Sequence, residues 1–279
     1  MNNQTVLTGL FGNPVSQSMS PNMHNAAFQQ LGLNFAYMAF AVEHAQLGAA
    51  VEAIRALSIR GVNVTIPHKV AVMKFLDEID AEALDIGAVN TIVNDGGKLI
   101  GYNTDGRGYV HSLLEETRVT LSDKRILLVG AGGAARAVGV SLAREGVKQI
   151  TIANRSIERA VELADDLSRH VQSEPVGLGD VQDLRQVDIV INTSSVGMYP
   201  NMGETPLPTD LLHADLLVSD LIYNPLYTEL LNQARGIGAK VHNGLGMFVH
   251  QGALAFELWT ENEAPLELMR KTVEQQLGR

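Results

Sequence analysis

The chain has no cysteine among its 279 residues. That excludes disulfides, thiolate nucleophiles and cysteine-ligated metals. Its eight histidines are scattered, with no HxxxH or similar ligand pair, so no metal site is expected. Basic residues are the minority, 21 against 31 acidic, for a formal charge of −10. No basic run occurs anywhere, and binding to nucleic acid is not expected. An anionic ligand must therefore be held by local groups and not by the overall field. No apolar run reaches membrane-spanning length. The first residues, MNNQTVLTGLFGNP, carry neither a basic n-region nor a long apolar stretch and do not read as a signal peptide. These absences leave a cytoplasmic, membrane-free protein as the expectation.

What is present is an alternation of short apolar runs and amphipathic stretches. Strands are expected at 6–10, 35–42 and 61–66, helices at 20–31, 47–57 and, for the most part, 69–84. Asp95-Gly96-Gly97 between two β-rich runs signals a hairpin of 91–94 with 98–102, and 106–116 returns to helix. A second series opens at 125–129 with an apolar strand, a glycine-rich turn and a helix to about 145. The strand 149–153, the helix 156–168 and short strands at 188–192, 217–221 and 240–242 follow. The last 30 or so residues, from about Met247, read as helical. Strands alternating with helices imply an α/β protein whose parallel sheets are covered on both faces. Two domains are expected: a first α/β domain of 1–106 completed by the C-terminal helices of 247–279, and a Rossmann-like domain of 107–246.

The apolar strand 126–129 runs straight into Gly130-Ala131-Gly132-Gly133-Ala134-Ala135-Arg136. This is G-x-G-x-x-A between a strand and a helix. Gly130 permits the tight turn, Gly132 lets a pyrophosphate approach the backbone at the helix N-terminus, and Ala135 allows close helix–strand packing. A bare tight turn would use the same residues; the strand–turn–helix context favours a dinucleotide. About twenty residues on, an NAD-binding fold carries an acid for the ribose 2′-hydroxyl. Here that strand ends in Asn154-Arg155-Ser156, with Arg159 a turn later. Guanidinium groups pair with a 2′-phosphate, and cations at a helix start run against its dipole and call for a reason. The expected cofactor is NADP(H).

Hydride transfer to a ketone leaves charge on oxygen, so a proton donor must stand beside it. Lys69 in Asn63-Val64-Thr65-Ile66-Pro67-His68-Lys69 follows a strand end and starts the expected helix. A cation is unfavourable there, which favours release of its proton. Taken alone it is an ordinary surface lysine, and His68 reads as structural. Asp105, in Gly101-Tyr102-Asn103-Thr104-Asp105-Gly106, either caps a helix or orients Lys69. In Gly12-Asn13-Pro14-Val15-Ser16-Gln17-Ser18-Met19-Ser20-Pro21, Ser18 and Ser20 can point the same way in an extended segment and offer two hydroxyls to a carboxylate. They serve equally as cap and turn residues, with Pro21 at the first helical position.

These segments together resemble the shikimate dehydrogenase family over nearly the whole chain and in order. The resemblance is carried by GNPVSQSMSPNMHN (12–25), NVTIPHK (63–69), GAVNT (87–91), GYNTDG (101–106), GAGGAARA (130–137), NRS with Arg159, NTSSVGM (192–198), DLIYNP (220–225) and GLGMFVHQG (244–252). It implies reversible, NADPH-linked reduction of 3-dehydroshikimate to shikimate in aromatic biosynthesis. It makes Lys69 the acid/base, with Asp105 its partner and a contact of a substrate hydroxyl. Ser18 and Ser20 would hold the substrate carboxylate, and Thr65, Asn90, Tyr223 and Gln251 would complete the polyol pocket. Gly130, Ala131, Gly132, Gly133 and Ala134 would hold the pyrophosphate, and Asn154, Arg155 and Arg159 the 2′-phosphate. Leu221 and Gly244 would lie against the nicotinamide; by themselves they read equally as strand core and hinge turn. Gln17 stands where many relatives carry histidine, which bears on the carboxylate loop. Family members occur as monomers and homodimers.

Three other functions fit parts of the pattern. A broader quinate/shikimate dehydrogenase often uses NAD, against which the arginines after Asn154 argue. A methylenetetrahydrofolate dehydrogenase-like enzyme would want stacking side chains where this chain offers hydroxyls and amides. A non-catalytic NADP-binding regulator would have no use for the Lys69/Asp105 pair.

Overall fold

The computed structural model describes residues 1–278. The chain divides into two compact units, one of Met1–Thr104 with the segment from Val249 onward, the other of Asp105–Phe248. In the first, the elements are β1 (Val6–Gly12), α1 (Ser20–Gln30), β2 (Phe35–Ala41), α2 (Leu47–Ala56), β3 (Gly61–Val64), β4 (Glu78–Ile79), α3 (Ala81–Ile86), β5 (Thr91–Asp95) and β6 (Lys98–Tyr102). The second holds α4 (Asp105–Thr117), β7 (Arg125–Val129), α5 (Gly133–Arg144), β8 (Gln149–Asn154), α6 (Ile157–Leu167), β9 (Gln172–Gly177), β10 (Ile189–Asn192), β11 (Leu217–Asp220), α7 (Glu229–Gly236) and β12 (Lys240–His242). Helix α8 (Leu245–Thr260) crosses the boundary, and α9 (Leu266–Gln276) follows it.

The first sheet has the order β2-β1-β3-β5-β6-β4. Strands β1, β2 and β3 are parallel, while β5 runs antiparallel to both β3 and β6. Alternation along β3 sorts its residues between two layers. Val62 and Val64 join Leu47, Val51 and Ile54 of α2 in one buried cluster. Asn63, between them, meets Tyr37, whose hydroxyl donates to its Oδ1 at 2.8 Å. Around Tyr37 lie His24 and Phe28 of α1 and Phe256 and Trp259 of α8, with ring centroids 4.4–6.5 Å apart. Burial of each phenylalanine contributes about 1.5–3 kcal/mol by area. The Trp259 indole N–H donates to the Ile92 carbonyl at 3.0 Å. The Arg60 guanidinium donates to the carbonyls of Trp259, Leu258 and Asn94, which places a cation at the negative end of α8.

The helix expected over 69–84 does not form. Residues 71–75 make a 3-10 turn, β4 and α3 follow, and Lys69 sits in a turn with no α-helix beginning at it. Tertiary partners override local propensity here. The Asp77 carboxylate accepts from the Leu99 N–H at 2.7 Å and from Arg55 at 2.8 Å. Glu78 and Ile79 then pair with Ile100 and Gly101 as an added edge strand, and Asp80 caps α3 by accepting from the Glu82 N–H.

The second sheet is parallel throughout, in the order β12-β11-β10-β7-β8-β9. The first strand of the unit is central and the chain winds outward to both sides, which is the doubly wound dinucleotide order. Central strands read RILLV and IVIN because helices cover both faces. Two elements escape the sequence pattern. β9, QSEPVG, is a polar edge strand, where Pro175 costs little ladder hydrogen bonding. α7 is a short helix capped by Thr228, whose hydroxyl accepts from the Leu231 N–H. The helical C-terminus is two helices, with Glu261 in the left-handed region just after the first. A buried string, Tyr109–Ser219–His242–Ser112, ties α4 to β11 and β12 at 2.8–2.9 Å per link.

His24 is fully buried, and neither ring nitrogen has a hydrogen-bond partner among the described residues. Burial lowers its pKa from 6.5 to about 3. As pH falls below 6.5, the unfolded chain therefore takes up a proton that the fold refuses. Stability declines toward pH 3 by up to about 1.4 kcal/mol per unit. The variant His24→Phe keeps a flat ring and removes this proton linkage. Its stability relative to wild type, read from urea midpoints, is expected to rise as pH drops from 6.5 to 4. A difference independent of pH would contradict a neutral His24.

Candidate active site

Thr65 stands just past the carboxyl end of β3 and Gly12 closes β1. The two loops that follow are joined by Asn13 N–H to the Ile66 carbonyl at 3.0 Å, and the Thr65 N–H donates to the Phe11 carbonyl at 2.9 Å. Beyond Gly12 the chain turns back, and the Ser18 hydroxyl accepts from the Ser20 N–H at 3.3 Å. Ser20 opens α1 and is buried, whereas Ser18 is half-buried.

Lys69 is half-buried, between two fixed neighbours. The ring of His68 is bonded to the Val42 carbonyl at 2.7 Å, and the Lys69 carbonyl accepts from the Val89 N–H at 2.8 Å. One residue on, buried Asn90 joins three segments. Its carbonyl accepts from the Val64 N–H at 2.8 Å. Its side-chain oxygen accepts from the Thr104 N–H at 2.8 Å and the Thr91 hydroxyl at 2.9 Å, while its amide donates to the Thr104 hydroxyl at 2.9 Å. Asp105, the next residue, is the first of α4. Ser20, Thr65, Lys69 and Asn90 thus all arise where β1 and β3 end, and Gln251 lies half-buried on α8.

In the second unit, Gly130 follows β7 with φ +110°, and its missing Cβ would stand 2.6 Å from the Thr193 hydroxyl. Only glycine takes that backbone without strain. A Cβ on Gly132 or Gly133 would meet nothing within 4 Å. The backbone at the start of α5 is therefore open to a ligand, as a pyrophosphate cradle requires. Asn154 ends β8, its amide donating to the Ser156 carbonyl at 2.9 Å. Exposed Arg155 forms one wall of a cavity of about 520 Å³ whose other walls include Leu178, Val181, Pro206, Pro208 and Leu211. Arg159, also exposed, lies in the first turn of α6. Gln182 and Asp210 also line this recess, so it offers a planar ring both apolar side chains and polar groups beside the guanidinium.

Leu221 and Gly244 are in backbone contact. A Cβ on Gly244 would fall 2.0 Å from the Leu221 carbonyl oxygen, so the two strand ends close on each other only because residue 244 is glycine. The Tyr223 ring lies 5.0 Å from that of Phe248, and burial raises its hydroxyl pKa.

Sequence reasoning missed three residues here. Asp220, fully buried at the end of β11, accepts from Asn192 at 3.1 Å, Thr228 at 2.8 Å and the Ile222 N–H at 3.0 Å. Asn192 at the end of β10 in turn accepts from the N–H and hydroxyl of Ser194 at 3.0 and 2.7 Å. This pair sets both loops that leave the two strands, and burial pushes the Asp220 carboxyl up to about 6. The available signal was a polar last residue on each of two otherwise apolar strands, IVIN and LVSD. The third is Glu158, whose carboxylate accepts from the Ser156 hydroxyl at 2.7 Å and is held below its ordinary pKa by that bond first. The arginines after β8 therefore share their turn with an acid.

Comparison with known proteins adds the decisive observation. A shikimate dehydrogenase (NADP+) of Geobacillus sp. (strain WCH70) is 54% identical over 97% of this chain and 98% of its own length. The chain belongs to the shikimate dehydrogenase family. A shikimate dehydrogenase (NADP+) of Methanopyrus kandleri is 50% identical over 97% of this chain and 95% of its own. Three family models divide the chain: the shikimate dehydrogenase substrate binding domain matches 10–92, the shikimate/quinate 5-dehydrogenase model 112–199, and the shikimate 5′-dehydrogenase C-terminal domain 244–274. Among solved structures, a shikimate dehydrogenase in complex with NADP+ superposes with a TM-score of 0.94 at 46% identity, covering 100% of this chain and 98% of that one. Among the described residues of this family member, no cluster of three or more metal-ligating side chains occurs and no helix is long and apolar enough to cross a membrane.

Asp220→Ala leaves three donors without their acceptor and is expected to cost about 2–4 kcal/mol at pH 4.5. A raised carboxyl pKa means that the unfolded chain loses this proton near pH 4 and the fold only near 6, so wild type gives up stability as pH rises through that window. The gap between wild type and variant, from urea unfolding, should be smaller at pH 7.5 than at 4.5. A gap that widens with pH would refute the assignment.

Proposed function

We propose that the chain is an NADP-dependent shikimate dehydrogenase, reducing 3-dehydroshikimate to shikimate and running the reverse, in aromatic amino acid biosynthesis. The observation that carries this is the pairing of Arg155 and Arg159 after β8 with a recess beside Arg155, in a family whose relatives at 50–54% identity are NADP+ enzymes. Asn154, Arg155 and Arg159 hold the 2′-phosphate by charge-assisted hydrogen bonds, and Gly130, Ala131, Gly132, Gly133 and Ala134 hold the pyrophosphate. Leu221 and Gly244 line the nicotinamide side. The cofactor, when bound, supplies hydride in one direction and accepts it in the other.

The protein groups do the rest. Ser18 and Ser20 bind the substrate carboxylate through two hydroxyls, as an acidic protein with no basic residue in that loop requires. Thr65, Asn90, Tyr223 and Gln251 bind the ring hydroxyls and set which carbon faces the hydride. Lys69 donates its proton to the oxygen that gains charge and takes it back in oxidation, while Asp105 orients the ammonium group and touches a substrate hydroxyl. We place this chemistry in the cytoplasm.

Initial rates with shikimate or quinate, each with NADP or NAD, test this. Shikimate with NADP is expected to dominate. Replacing both arginines (Arg155→Ala with Arg159→Ala) should cut kcat/KM for NADP at least tenfold, the scale of one lost charge-assisted bond, and leave NAD nearly unchanged. Oxidation of neither acid with either cofactor would overturn the function.

A further inference from the structure

The buried string in the second unit centres on His242. Its Nδ1 is bonded to the Ser219 hydroxyl at 2.9 Å and its Nε2 to the Ser112 hydroxyl at 2.8 Å. The Tyr109 phenol donates to the Ser219 oxygen at 2.9 Å, and the Ser112 hydroxyl donates to the Glu116 carboxylate at 3.5 Å. Tyr109, Ser112 and Ser219 are wholly buried and His242 is 2% exposed, so the links act without competing water. With its own proton given to Glu116, the Ser112 oxygen takes the Nε2 proton. The neutral ring then offers Nδ1 as an acceptor to the Ser219 hydroxyl, whose oxygen receives the phenol. Every donor in the string thereby has an acceptor.

The string stands between two sets of residues given roles above. On α4, Asp105, Tyr109, Ser112 and Glu116 follow one another at helical spacings of three and four and share one face. On the sheet, Ser219 and His242 are register partners in β11 and β12. Each comes two residues before a member of the proposed nicotinamide wall, Leu221 and Gly244. The Gly244 N–H donates to the Ile222 carbonyl at 3.0 Å, so the pairing runs past both strands into that wall. Gly246 brings the start of α8 to the same place: a Cβ there would run into the Ser112 hydroxyl and the Glu116 carboxylate. At the far end of α4 the Lys240 ammonium bonds the Thr117 carbonyl. His242 is thus the β12 link nearer to Asp105.

We propose that His242 is a positioning residue for hydride transfer: through Ser112 it holds α4, and Asp105 with it, in register with the wall formed by Leu221 and Gly244. This rests on the reading above that Asp105 serves the reaction and that Leu221 and Gly244 face the nicotinamide. Hydride passes only between atoms held about 3–3.5 Å apart, and a misplacement of about 1 Å costs about 10²-fold. A histidine that only satisfied two buried serines would add stability and leave the rate of the folded enzyme unchanged.

The test separates the two ring nitrogens. In His242→Asn the side-chain amide reaches where Nδ1 stands and can serve Ser219. In His242→Gln it reaches where Nε2 stands and can serve Ser112. Single-turnover hydride transfer at saturating shikimate and NADP should fall about 10- to 100-fold in His242→Asn and stay within about threefold in His242→Gln. Ser112→Ala cuts the same link from the helix side; its rate should fall likewise, and it decides the matter if a His242 variant fails to fold. Without any ligand, amide hydrogen exchange in the first turns of α4 should quicken in His242→Asn and Ser112→Ala and not in His242→Gln. Affinity for 2′-phospho-ADP-ribose, which lacks the nicotinamide, should stay within about twofold of wild type in all three by calorimetry. Wild-type rates or wild-type exchange in His242→Asn and Ser112→Ala overturn the positioning role, as does an equal loss in His242→Asn and His242→Gln. A loss of fragment affinity that matches the loss of rate marks general damage and overturns it too. Wild type that passes no hydride from shikimate to NADP overturns the proposed function, and this proposal with it.

Discussion

The side chain of Asn90 is the pin on which the first unit's polar surface depends. It bonds Thr104 through both its amide and its oxygen, and it receives Thr91. Its own carbonyl takes the Val64 N–H, and the neighbouring Val89 N–H holds the Lys69 carbonyl. Four segments that are apart in sequence, those around 64, 69, 90 and 104, are thereby held to within hydrogen-bond tolerance. A buried amide with this many partners is costly to disturb, because removing it leaves several groups unpaired. The benefit is preorganisation. Lys69 is anchored through its backbone, and Asp105 follows directly on a residue that is bonded twice.

The same device recurs in the second unit with different chemistry. Parallel strands present their carboxyl ends along one edge, where ligands of open α/β sheets bind. At that edge the buried Asp220 and Asn192 stand at the ends of adjacent strands and receive the donors of the loops beyond. Gly130 and Gly244 let those loops approach more closely than any side chain would allow. In both units the strands supply rigidity, and one satisfied polar residue at a strand end turns that rigidity into a loop geometry.

The fingerprint at Gly130 was legible because three local signals agree: an apolar strand, a glycine turn and a helix start. The hairpin of β5 and β6 was legible for a like reason, with Asp95-Gly96-Gly97 between β-rich runs. The stretch 69–84 was misread because its propensity is helical, while Asp77 and the edge pairing of Glu78–Ile79 depend on β6 and Arg55, which local sequence does not show. β9 was missed because an edge strand needs no apolar alternation. The argument for Lys69 from a helix start fails with that helix, and its support now comes from the backbone anchor and the family. Asp220 stands in DLIYNP, where the local sequence assigns it no role. Its importance comes from burial and from partners 8 and 28 residues away, and neither is written in the local pattern.

If Lys69 moves the proton, the chemical step must fail without its ammonium group while the pocket persists. The direct measurement is single-turnover hydride transfer, with shikimate affinity taken by calorimetry on the same sample, for wild type and Lys69→Ala. The expected result is a rate lower by about 10²–10⁴, the range for loss of a general acid–base group, with shikimate affinity within a few-fold of wild type. A rate within tenfold of wild type would contradict the assignment and leave Lys69 a binding residue at most.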